Sequence, residues 1–149
     1  MSAQTHLDTI RTYYRGCSTG DAALMTSVLA PDVVHYFTGA APVRGAEALA
    51  AYWVEDNTGD RRTAWTVDRA MVEGDEAVIE WSMFVAFLDD RPGLRLRGSE
   101  WYAFRDGRIK EVRAYYRWLP GEPVSELIGF PYAERGYPDG PGWPTHEDA

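Results

Sequence analysis

Residues 94–118 read LRLRGSEWYAFRDGRIKEVRAYYRW. The Asp106-Gly107 pair near the middle is a strong hairpin signal, because both residue types tolerate the positive φ of a tight turn. The stretch therefore predicts two long antiparallel strands, 94–105 and 108–118. Alternation sorts the first onto two faces. Leu94, Leu96, Gly98, Glu100, Tyr102 and Phe104 share one; Arg95, Arg97, Ser99, Trp101, Ala103 and Arg105 share the other. The first face is apolar except for one carboxylate, Glu100. In the second strand, Val112, Ala114, Tyr116 and Trp118 lie opposite Glu111, Arg113, Tyr115 and Arg117.

Working outward, residues 76–88 form another alternating run, with Ile79, Trp81, Met83, Val85 and Phe87 on its apolar face. Residues 89–93, with Pro92-Gly93, are a turn. Residues 65–73 read as a further strand closed by Gly74-Asp75. Upstream the period changes. Residues 3–18 carry Leu7, Ile10, Tyr13 or Tyr14, and Cys17 at helical spacing. Asp21 caps a second helix, 22–29, which Pro31 ends. The run 33–37 is a short β-branched and aromatic strand that places His35 and Phe37 on one side. Residues 38–44 read as a loop, and 46–57 as a third helix. Helices followed by a strand meander indicate an α+β fold, with helices on one face of the sheet. Residues 119–149 hold six of the nine prolines and several aromatics. They read as an ordered arm on the same domain, 1–118, or on a partner subunit, with a helical turn around 125–128.

Composition narrows the function. The net charge is −8, which argues against nucleic acid. One cysteine, Cys17, allows no intrachain disulfide. No apolar run approaches the roughly 20 residues that span a bilayer, and no basic-then-apolar leader opens the chain. The expectation is a cytoplasmic protein that binds neither nucleic acid nor membrane. Six tryptophans and nine tyrosines exceed what a core of this size needs, and such an excess marks a pocket or an interface. A metal site is not expected, since His6 and His146 sit near the ends and no metal-ligand spacing occurs. No phosphate-binding glycine loop is present, so no cofactor is expected.

Several phrases carry a family resemblance: YY at 13–14 with GD at 20–21, LAPDV at 29–33, RGAEAL at 44–49, and YAFRDGRIKEVRAY at 102–115. In order and spacing they resemble the SnoaL-like branch of the nuclear transport factor 2 superfamily, which includes ketosteroid isomerases. The resemblance implies a cone-shaped barrel, its strongly curved antiparallel sheet packed on three N-terminal helices. It also implies a deep pocket and, commonly, a homodimer. Ketosteroid isomerases use an aspartate base with an oxyanion hole of a tyrosine and a protonated aspartic acid. By position the tyrosine falls on Tyr13 and the acid on Glu100. The base falls on Phe37, which cannot serve, so His35 on the same face is the replacement.

Expected catalytic residues are therefore Glu100, His35 and Tyr13. Expected pocket walls are Tyr14, Cys17, Phe37, Trp53, Trp81, Met83, Val85, Tyr102, Tyr116 and Trp118. Each has a plainer reading. Glu100 could pair with an arginine, His35 could be a core histidine, and the aromatics could be core. Tyr14 takes the place of Tyr13 if the helix phase is off by one. Three functions stay open at this point. One is acid–base catalysis without a cofactor on a small apolar carbonyl, hydroxyl or epoxide compound, giving isomerisation, cyclisation, dehydration or hydrolysis. Another is ligand binding without turnover. The third is an interaction module whose pocket is plugged by Phe130, Tyr132 or Trp143.

Overall fold

In the computed structural model, which describes residues 2–141, Ser2 opens helix α1 (Ala3–Thr19) by accepting the Thr5 N–H at 3.1 Å. Such a cap stabilises a helix by about 1 kcal/mol. Gly20, left-handed at φ 69°, closes it. Asp21 then caps α2 (Ala22–Val28) through the Leu24 N–H at 3.0 Å. The third helix is shorter than its apolar pattern suggests. α3 spans Ala46–Val54 and tightens into a 3-10 turn at Glu55–Asn57.

The strands are β1 (Leu29–Tyr36), β2 (Val43–Arg44), β3 (Arg61–Glu73), β4 (Glu76–Phe87), β5 (Leu94–Arg105), β6 (Arg108–Tyr116) and β7 (Val124–Ser125). The sheet order is β2-β1-β6-β5-β4-β3, with β7 beside β5. Strands β3 to β6 form the antiparallel meander. The sheet as a whole is mixed and open, a refinement of the antiparallel cone. β1 reaches β6 through a long connection and runs parallel to it, and β7 runs parallel to β5. Pro31 sits inside β1 rather than ending α2. The register slips between Leu29 and Val34, where a missing N–H is tolerated. β2 lies in the stretch read as a loop, and β7 replaces the helical turn expected near residue 125.

α1 packs on β3, and the buried core lies between the helices and the inner face of the sheet. The long free edge of β3 is partly closed by side chains. Asn57 Oδ1 accepts the Thr63 N–H and Ser18 Oγ accepts the Trp65 N–H, each at 2.9 Å. The arm crosses the outer face. Arg97, 8% exposed, meets Glu126 Oε2 at 2.9 Å and the Pro138 carbonyl at 3.0 Å, and Tyr137 donates to Glu80 at 2.9 Å. Trp143 and His146 lie outside the described residues. No helix is long and apolar enough to cross a membrane among those described.

Candidate active site

Between the helices and the inner face of the sheet lies a cavity of about 360 Å³. That is small-molecule size. Glu100, at the middle of β5, is 4% exposed on its wall. Parity put it on the apolar face, and three groups converge on it. Tyr14 from α1 donates to its Oε1. Tyr102, two residues along β5, donates to the same oxygen at 3.4 Å. His35 from β1 brings Nε2 to 3.4 Å from Oε2. His35 is 2% exposed, and its Nδ1 has no partner among the described residues. Its ring stacks on Phe37 at 4.2 Å and meets the edge of Trp53.

Burial pushes the hydroxyls of Tyr14 and Tyr102 well above their ordinary range, and the negative charge of Glu100 pushes the same way. Both phenols therefore keep their protons and act as fixed donors. Burial does the same to Cys17, whose thiol faces Met25 Sδ at 3.7 Å. Tyr13 stands on the cavity wall. Its oxygen accepts the Trp53 indole N–H at 2.5 Å, and Tyr14 occupies the position on Glu100. Neighbouring residues of a helix stand 100° apart, and here both point into the core.

Tyr13, Tyr14, Cys17, His35, Phe37, Trp53, Trp81, Met83, Glu100, Tyr116 and Trp118 all line the cavity. Two expected walls do not. Val85 packs farther along β4, level with Leu94, and Tyr102 lies fully buried behind Glu100. Phe130 and Tyr132 are not in the lining, so neither plugs the cavity; Trp143 lies outside the described residues. Sequence reasoning missed Trp65, Tyr52, Asp56 and Arg61. Trp65 pairs in register with Met83, but a bulge between Val67 and Arg69 interrupts the alternation of its own strand. Asp56 and Arg61, 3.3 Å apart, carry no sequence signal. Burial raises the Asp56 carboxyl above its usual range, against the pull of Arg61.

A profile of the SnoaL-like domain matches residues 10–112. The chain belongs to the SnoaL-like domain family. Among solved structures, one similar protein is a chain of unknown function with a cystatin-like fold from Methylobium petroleophilum PM1. It is 34% identical over 93% of each chain, with a TM-score of 0.66. An M. tuberculosis LEH-like epoxide hydrolase is similar at 16% identity, covering 76% of this chain and 84% of its own, with a TM-score of 0.67. A protein provisionally named a SnoaL-like polyketide cyclase, from Jannaschia sp. CCS1, is similar at 20% identity. It covers 78% of this chain and 89% of its own, with a TM-score of 0.64. At those last two identities the likeness concerns the fold alone. No curated protein matches the chain.

Proposed function

We propose that this SnoaL-like domain is an enzyme that uses general acid–base catalysis without a cofactor. Its substrate is a small, largely apolar carbonyl, hydroxyl or epoxide compound, and the reaction an isomerisation, cyclisation, dehydration or hydrolysis. One observation carries the reading. Two ionisable groups, Glu100 and His35, face each other at 3.4 Å on the wall of a small-molecule cavity. Buried ionisable groups placed in this way are characteristic of working sites.

We assign each group a role from its contacts. A proton on His35 Nε2 points at Glu100 Oε2, which leaves the unpartnered Nδ1 as the base. Glu100 orients the ring and stabilises the imidazolium that forms, as a carboxylate does in a catalytic triad. Tyr14 and Tyr102 hold Glu100 in place from Oε1. The proton taken from one substrate atom is returned to another atom or to a leaving oxygen. Because Tyr13 accepts from Trp53, its own proton is available for a substrate oxygen on which charge develops. A homodimer is carried as part of the same proposal and is read by sedimentation equilibrium.

The test is turnover on a panel of aromatic polyketides, steroids and terpenoid epoxides. Glu100→Gln and His35→Ala should each lower kcat by roughly 10²–10⁴-fold. Undiminished turnover in both variants overturns the assignment. A binding domain without turnover is the second reading. It is favoured by the tyrosine pair that already satisfies Glu100 Oε1. Saturable binding without product across the panel decides for it.

A further inference from the structure

Trp81 is 3% exposed and stands on the cavity wall, yet its Nε1 finds no acceptor among the described residues. Trp65 Nε1, on the neighbouring strand, is in the same position, and the two rings meet edge to face at 5.5 Å. An indole N–H can only donate. Proteins rarely bury one without a partner, and each such group calls for an explanation.

The seat of Trp81 is built for it. Gly98 pairs with Trp81 across β4 and β5. A Cβ at Gly98 would stand 2.5 Å from Trp81 Cζ2 and 2.8 Å from Cε2, the carbon that carries Nε1. Gly98 has no positive φ, so its own backbone does not require glycine; the indole and the Tyr115 carbonyl, 2.8 Å from the added Cβ, do. A glycine inside a strand weakens it and marks a close approach. Gly98 and Glu100 are successive residues on the inner face, so the indole edge lies one pleat from the acid.

We infer that Trp81, with Trp65 beside it, forms a donor subsite that fixes an acceptor oxygen of the ligand, a ketone, lactone or ether oxygen on a flat unsaturated body. The inference rests on the reading of this cavity as a ligand site, and it does not require turnover. The wall of Trp53, Trp65, Trp81 and Tyr116, each ring in contact with the next, suits such a body. A neutral acceptor fits better than a carboxylate, because Glu100 repels an anion.

The probes are 1-tetralone and its oxygen-free counterpart tetralin. They are titrated into wild type and into protein whose Trp81 is replaced by 3-benzothienylalanine, which keeps the shape and removes the N–H. The ketone should bind wild type roughly three- to tenfold more tightly than the variant, as one hydrogen bond gives. Tetralin should bind both equally. In ¹⁵N-indole spectra of wild type, assigned with Trp81→Phe, the Trp81 proton should move downfield with the ketone only. The same discrimination should persist on a Glu100→Gln background, so failure of catalysis and failure of the subsite are read separately. Equal ketone affinity in wild type and variant, an unmoved Trp81 proton, or no saturable binding of the ketone overturns the inference.

Discussion

Two phenols donate to one oxygen of Glu100. Removing one leaves a buried carboxyl short of a donor. Tyr14→Phe should cost about 1.5–3 kcal/mol, the range for a hydrogen bond to a charged group, measured by urea unfolding. Tyr102→Phe should cost less, because its bond is long. On a Glu100→Gln background the Tyr14→Phe penalty should shrink; an unchanged penalty would mean that packing, not charge, is lost. Much of this scale was legible in the sequence. Strand parity alone placed Glu100 and His35 on the inner face. The Tyr13 and Tyr14 roles were not legible, since both residues fall within the wide apolar stripe of α1. Which hydroxyl reaches Glu100 depends on fractions of a helical turn and on Trp53, 40 residues away.

At the scale of elements, Gly98 is where β5 yields to β4. Gly98→Ala forces a methyl group against the Trp81 ring and within 2.8 Å of the Tyr115 carbonyl. The backbone oxygen cannot swing aside, so the cost should be about 1–3 kcal/mol. A lowered melting temperature with altered tryptophan emission checks it; an unchanged melt would show that the strand can part freely. The four long strands were readable from alternation and from the turn glycines. β2 and β7 were not, because two-residue bridges carry no period. Trp65 escaped for a related reason. A bulge between Val67 and Arg69 switches faces within β3, so Trp65 and Val67 share the core with Ala70 and Val72. No single alternation runs through that strand.

For the molecule as a whole, the buried phenols set a limit at high pH. Tyr13, Tyr14 and Tyr102 are raised well above 10.0, and Cys17 well above 9.0, burial being the first cause in each. The unfolded chain ionises these groups at their ordinary values, while the folded chain keeps them neutral. Their contribution is therefore complete below about pH 8 and lost as pH rises, first for the thiol and then for the phenols, by about 1.4 kcal/mol per pH unit for each group that titrates only when unfolded. The urea midpoint should fall steeply above about pH 10, with these phenolates absorbing only as the chain unfolds. Phenolate absorbance from all three before unfolding would contradict it. The side chains along β3 act at this scale too. An open sheet leaves β3 without a strand on its far side, the kind of edge on which another chain can add. By accepting two of its N–H groups, Asn57 and Ser18 deny an incoming strand its first rungs. The side chains of Asn57 and Ser18 thus also limit strand addition at this edge.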